Sequence, residues 1–343
     1  MKLTRESVER YRVRDLSMTG SLLCRAAKRL GMSITFLPDR FVKIKHGKKE
    51  LFFRGSDLPC YDFVAGQLAD DKYAVRGYAE RHGIPVPRTI VLFNPSEWKR
   101  IQTSRLHFPL AVKPFNASHG NGATMNIRTW DEFQKAVKKA FEYLIKKKHS
   151  FPRVLVEEFI ENRKDIRLLV IGEKVVSVIY REPAYVIGDG RSTIQQLIQR
   201  YNNEWDSSYE KYDLPLCPIP IDRELRRCVR SQNLQLSSIP KKGKKITLRW
   251  NSNVSTGGQT TDITDEVHPN IKKLAIKAAQ LIQVTVAGVD LQCKEWTSPD
   301  ISRKNCIILE TNSSAGVGFH IFPAKGKGRD AALEILKFTF KIR

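Results

Sequence analysis

Asn305-Cys306-Ile307-Ile308-Leu309-Glu310-Thr311-Asn312 is an apolar, strand-like run that ends on a carboxylate and, two residues later, an amide. A second such run closes at Asp290. Two carboxylates and an amide oxygen on strand ends make a hard, all-oxygen site of the kind magnesium prefers. Far upstream, Val112-Lys113-Pro114 ends a third apolar run and opens the glycine-bearing loop that continues to Ala123. A lysine and a flexible loop suit phosphates, and the oxygens suit magnesium. Together they imply a nucleoside triphosphate, ATP.

Taken singly, these signals are shared with many folds. A Glu-x-Asn is also met on solvated strand edges, and Gly-x-Gly also makes turns. The loop is not a Gly-Lys-Ser/Thr phosphate loop, because its lysine precedes the glycines. Order along the chain is what separates the alternatives. A lysine with a glycine loop, then an acidic hinge, then Asp and Glu-x-Asn, resembles the ATP-grasp enzymes. The chain looks like the ATP-grasp portion shared by cyanophycin synthetases and bifunctional glutathione synthetases. The resemblance is carried by VKPFNASHGNGATMNI (112–127), VEEFI (156–160), REPAYVIGDGRSTIQQLI (181–198), LRWNSNVSTGGQTTDITDEVHP (248–269), AGVDL (287–291) and ILETNSSAGVGFHIFPAKGKGRD (308–330). A weaker match, DKYAVRGYAERHGIPVPRT (71–89), precedes them.

The resemblance implies an α+β, ATP-grasp fold, with two α+β subdomains gripping ATP behind a small α/β N-terminal domain. The expected divisions are 1–88 for that domain, 89–160 for the lid subdomain and 161–343 for the subdomain with the magnesium site. The implied activity is that of an ADP-forming carboxylate–amine ligase working through an acyl phosphate. An amino acid or short peptide of glutamyl or aspartyl type is the expected acyl donor. Both kinds of relative carry an additional catalytic module, for which 343 residues leave no room, so a stand-alone ligase is expected. The alternative is a catalytically idle ATP-grasp fold that binds nucleic acid or protein.

Residue roles follow from the matched motifs. Lys113 contacts the ATP phosphates, and Lys72 is either a second phosphate lysine or a surface helix residue. His119, Gly120 and Gly122 shape the loop over the γ-phosphate, where small residues let backbone N–H groups approach oxygen. Glu157, Glu158, Phe159 and Ile160 resemble the hinge that meets adenine. Asp165 stands where the family places an acid on the ribose, with Glu161 as competitor. Asp290, Glu310 and Asn312 would hold magnesium. Arg249 and Asn251 fall on alternate positions of an expected strand and would face the transferring phosphoryl together with Lys113. Gly257 and Gly258 would let the backbone approach substrate. Arg167 and Arg181 would either grip a substrate carboxylate or serve as structural ion-pair arginines.

Composition narrows the partners. The net charge of +23 favours acidic ones, although the basic residues come in short clusters such as Lys146-Lys147-Lys148 and Arg226-Arg227. No zinc finger, RNA-recognition motif or basic zipper is visible, so small-molecule or peptide substrates are expected and no specific nucleic acid. A homo-oligomer is left open. The six cysteines show no Cys-x-x-Cys pair and read as reduced thiols, and no run approaches a membrane span. A cytoplasmic, membrane-free protein is expected.

Periodicity predicts helices over 21–30, 130–147, 193–201 and 269–283, and a hairpin around His46-Gly47. The polar stretch 202–245 is the least recognisable part.

Overall fold

A computed structural model describes residue 13 and residues 16–115, 122–205 and 216–342. In chain order the strands are β1 (Ser33–Phe36), β2 (Phe41–His46), β3 (Lys49–Arg54), β4 (Thr89–Leu92), β5 (Leu110–Pro114), β6 (Thr124–Ile127), β7 (Val154–Glu158), β8 (Lys164–Ile171), β9 (Lys174–Glu182), β10 (Tyr185–Ile187), β11 (Lys245–Thr247), β12 (Gln259–Asp262), β13 (Val286–Cys293) and β14 (Cys306–Asn312).

The helix Trp130–Lys146 is set by its own sequence. Thr129 caps it by accepting from the Glu132 N–H at 3.3 Å, Asp131 and Glu132 oppose the helix dipole, and Phe133, Ala136, Val137, Ala140, Phe141 and Leu144 repeat at helical spacing. That face packs on an antiparallel sheet of order β4-β7-β5-β6, burying Leu110, Val112, Ile127, Val154 and Val156.

A second antiparallel sheet has the order β12-β9-β8-β13-β14. Ile166, Leu168, Val170, Val289 and Leu291 alternate onto one face and meet Ile271, Leu274 and Ala275 of the helix Pro269–Leu281. On the opposite face Asp165, Arg181, Asp290 and Glu310 line a cleft, while Leu169, Ile171 and Val286 are buried in a second core.

The end segments share one core. The helix Met18–Arg29, capped by Ser17, and the β1-β2-β3 sheet pack with Leu336 and Phe340 of the helix Ala331–Phe340. Helices Phe63–Asp70 and Lys72–Arg81 join the core under the larger sheet instead. The residues before 88 thus have no core to themselves among the described residues. The β2–β3 hairpin turns at Gly47, whose φ of 57° suits glycine.

The polar stretch hides a small folded unit. β10 and β11 pair, and Ile194, Ile198, Ile219, Leu225, Val229 and Ile246 form a separate core with the helices Ile194–Trp205 and Arg223–Arg230. Residues 248–253 are not the strand that alternation predicts. β11 stops at Thr247, and the chain then passes to a 3-10 turn at Val254–Thr256. No described helix is long and apolar enough to cross a membrane.

Candidate nucleotide and metal site

Cross-strand register places the two key carboxylates. Asp290 of β13 stands directly opposite Glu310 of β14, and Gly288 opposite Asn312, so all three candidate ligands share one face. A bulge makes this possible. Leu291 pairs with Ile308 and Asp290 with Glu310, which leaves Leu309 as the extra residue. In a regular strand, residues two apart face the same way. Here the inserted residue turns Ile308 into the core while Glu310 faces the cleft.

The bulge is locked from outside. Arg76, one helical turn beyond Lys72, donates to the Leu309 carbonyl through Nε at 3.0 Å and Nη2 at 2.9 Å. Its Nη1 reaches the Glu157 carboxylate at 2.5 Å. Lys113 donates to the other Glu157 oxygen at 2.7 Å. One buried acid at the end of β7 thus gathers a cation from the lid sheet and one from the helix that braces β14. Burial opposes charge on Glu157, but Arg76 and Lys113 hold its pKa down at about 2. The motifs miss Arg76. Its position four residues after Lys72, on the same helix face, is the signal for it.

This pairing has a pH signature. A carboxyl whose pKa is lowered on folding adds stability that is complete above its unfolded value of 4.5 and is lost as pH falls towards about 2. At roughly 1.4 kcal/mol per pH unit, the contribution is on the order of 3 kcal/mol. Urea unfolding measured from pH 5 to pH 2 is expected to show this loss in the native protein. Glu157→Gln is expected to be less stable at neutral pH and to lack that component. Parallel curves for the two proteins would contradict the pairing.

Lys72 lies 3.0 Å from Glu310, which raises the lysine's pKa despite burial. Burial pushes the Asp290 pKa up, against Arg167 and Arg181. Glu310 is held well below the usual range, because Lys72 and a hydrogen bond from Asp290 outweigh burial. Arg167 makes a two-pronged contact with Asp290, at 2.5 and 2.7 Å, and Arg181 reaches the same acid at 3.1 Å and Asp165 at 2.5 Å. The structure shows both arginines in ion pairs made through Nε and Nη2, with Nη1 of each outside those pairs. Asn312 gives its amide N–H to the Gly288 carbonyl at 3.2 Å, which turns the other end of the amide, an oxygen, away from that bond. Two carboxylates and this oxygen are a donor set that fits magnesium, which commonly binds one or two carboxylates and completes its shell with waters and substrate phosphates. Among the described residues no group of three His, Cys, Asp or Glu is arranged to hold a metal.

Most of these groups line one cavity of about 440 Å³ between the two sheets, but Asn312 and Arg167 do not border it. Lys72, Lys113, Glu157 to Ile160, Asp165, Arg181, Arg249, Asn251, Asp290 and Glu310 all border it. Glu158 accepts from the Arg88 N–H at 3.0 Å and pairs with Arg303. The Phe159 N–H is spent on the Pro109 carbonyl. Asp165 lies in the cavity wall, whereas Glu161 pairs with Arg128 on the surface. Arg249 is 3% exposed. Its Nη2 donates to Pro220 O at 2.8 Å and Asp222 at 2.7 Å, while its buried Nε has no partner. Asn251 accepts from Thr256 at 3.0 Å.

The glycines divide. Gly122 has φ 70°, and a Cβ there would meet Pro114 at 2.7 Å. His119 and Gly120 lie outside the described residues. Gly257 and Gly258 do not border the cavity. A Cβ on Gly257 would lie 2.3 Å from Ile219, and one on Gly258 2.7 Å from Ser252 O, so chain packing by itself calls for glycine at both.

Comparisons with known proteins agree with this geometry. The chain matches the RimK-like ATP-grasp domain over residues 69–196 and 227–338. It is 30% identical over 331 residues to the glutathione biosynthesis bifunctional protein GshAB of Clostridium perfringens, covering 95% of this chain and 41% of that one. It is 32% identical over 277 residues to the cyanophycin synthetase of Crocosphaera subtropica, covering 81% of this chain and 31% of that one. The chain therefore spans well under half the length of these relatives. The crystal structure of a bifunctional glutathione synthetase from Pasteurella multocida superimposes with a TM-score of 0.67 at 24% identity, over 95% of this chain and 44% of that one, which shows a shared fold. With the matched residues running through both sheets and the cavity between them, the chain belongs to the RimK-like ATP-grasp family.

Proposed function

We propose that the chain is an ADP-forming carboxylate–amine ligase. A carboxylate oxygen of the donor attacks the γ-phosphorus of ATP, the bond from that phosphorus to the β-bridging oxygen breaks, and ADP leaves. An amine then attacks the acyl carbon, loses a proton, and expels phosphate to leave an amide. The juxtaposition of Asp290 and Glu310 with Lys72 and Lys113 in one cavity carries this proposal, because it brings phosphate-binding cations beside metal-binding oxygens.

Such transfers depend mainly on positioning and charge neutralisation. Lys113 and Lys72 hold phosphate oxygens from two sides, and the hinge residues Glu157 to Ile160 and Asp165 receive the nucleoside. Arg249, kept in place by Asp222, offsets the charge of the reacting carboxylate and phosphoryl, with Asn251 beside it. Magnesium, held by Asp290, Glu310 and Asn312, would neutralise the phosphate charge. We assign Arg167 and Arg181 to orienting Asp290. All six cysteines are free thiols, which supports a reducing, cytoplasmic setting.

ADP release measured against pools of amino acids and short peptides, with mass spectrometry of the products, tests the proposal. Release is expected to need magnesium, a carboxylate and an amine together, and the product to weigh the sum of both less one water. ATP hydrolysis indifferent to every amine would contradict it.

A further inference from the structure

One end of the lid sheet carries groups that nothing else in the fold engages. Leu92, the last residue of β4, pairs with Val154, the first of β7, and Pro114, the last of β5, pairs with the same Val154. Phe93, the segment 147–153 and Phe115, where the glycine-bearing loop begins, therefore meet at this end. Arg153 marks the place, its guanidinium stacked over the Phe115 ring at 3.6 Å.

Two kinds of side chain are exposed here. Phe151 is 84% exposed, Ile145 65% and Phe93 56%. Lys146, Lys147 and Lys148 are exposed too, with no ion pair or side-chain hydrogen bond among the described residues. Residues 143–153 contain no Asp or Glu. The acids around the segment are paired: Glu142 with Lys138 at 3.9 Å, Glu97 with Arg100 at 3.1 Å and Asp71 with Arg153 at 3.9 Å.

The backbone adds a second observation. The helix Trp130–Lys146 ends in a Schellman motif, the His149 N–H bonding the Leu144 carbonyl at 3.1 Å and the Lys148 N–H the Ile145 carbonyl at 2.9 Å. Lys148 thus takes the left-handed position, at φ 54°, where glycine is the usual residue. A cation in the last turn, such as Lys146, already serves the helix dipole. A lysine in the left-handed conformation costs more than glycine, so the dipole alone is a poor account of it.

We propose that this tip docks on an anionic lipid surface, its lysines meeting headgroups while Phe151, Ile145 and Phe93 enter the interface. Lysines around projecting apolar side chains match a surface that is negative outside and apolar beneath. Consecutive helical residues point about 100° apart, so the lysines fan around the tip. A fan suits a plane met end-on, whereas a nucleic-acid backbone is a line of phosphates, and Ile145 offers no ring for a base to stack on. Such docking needs no membrane-crossing helix, and no described helix is one. It is independent of the ligase reading and sets aside the expectation of a membrane-free protein.

The test is co-sedimentation of the whole protein with vesicles of phosphatidylcholine, alone or with about 30% phosphatidylserine. Binding is expected only to the anionic vesicles and to weaken with salt. The Lys146→Gln/Lys147→Gln/Lys148→Gln variant is expected to bind about a hundredfold more weakly, at about fivefold per lysine. Phe151→Ser is expected to lose about tenfold, and it keeps the test open if circular dichroism shows the lysine variant unfolded. Lys241→Gln/Lys242→Gln/Lys244→Gln removes equal charge from another exposed segment and is expected to bind like the unaltered protein. Equal binding to both vesicle types, undiminished binding by the tip variants, or an equal loss in the 241–244 variant would overturn the proposal. So would a single-stranded oligonucleotide that binds more tightly than the vesicles and is lost by the lysine variant, since the tip would then serve nucleic acid.

Discussion

Glu310→Gln is expected to lower ADP formation by about a hundred- to a thousandfold while the protein stays folded. The loss has two sources. The amide keeps the size of the side chain but removes the negative charge that, with Asp290, would hold the metal in the proposed mechanism. It also frees Lys72, which lies 3.0 Å from Glu310, from its only ion pair among the described residues. The fold is expected to survive because the backbone of β14 is held independently, through its pairing with β13 and through the grip of Arg76 on the Leu309 carbonyl. Steady-state ADP release and a thermal melt on the same preparation check both halves. A variant with full turnover would remove Glu310 from the metal site.

Lys113→Ala is expected to weaken ATP binding by about ten- to a hundredfold, the usual worth of one charge-assisted hydrogen bond, and to stop phosphoryl transfer. In the structure Lys113 is paired with Glu157 and stands at the cavity wall. Removing it leaves Glu157 with Arg76, so the acid is not stranded and the lid sheet is expected to hold. Isothermal calorimetry with ATP and magnesium measures the binding loss. Unchanged affinity would mean that the lysine serves Glu157 alone.

What the sequence shows and what it conceals follow from how each feature is encoded. The face carrying the candidate ligands is legible because strand alternation and short motifs place Asp290, Glu310 and Asn312, and the register brings them together. The bulge at Leu309 is invisible, since it depends on pairing with a distant strand and on Arg76 arriving from another helix. Arg167 and Arg181 show what charge alone leaves open. Each is a cross-strand neighbour of an acid, Arg167 of Asp290 and Arg181 of Asp165, and no local pattern reveals that. Gly257 and Gly258 carry motif resemblance, yet contacts with Ile219 and Ser252 explain them. The unit built on the arginine-bearing helix escapes because its core residues, from Ala184 to Leu248, are scattered along a largely polar, turn-rich stretch.

The +23 charge is partly accounted for by this placement. Arg76, Arg167, Arg181 and Arg249 are inward and paired with acids of the cleft, while Arg223, Arg226 and Arg230 remain outside and unpaired among the described residues.

A crystal structure of the protein with magnesium and a non-hydrolysable ATP analogue tests the central claim most directly. The account predicts phosphates between Lys72 and Lys113, adenine against Glu157 to Ile160, and magnesium on Asp290, Glu310 and Asn312. A nucleotide bound elsewhere, or a metal that leaves those three residues untouched, would contradict it.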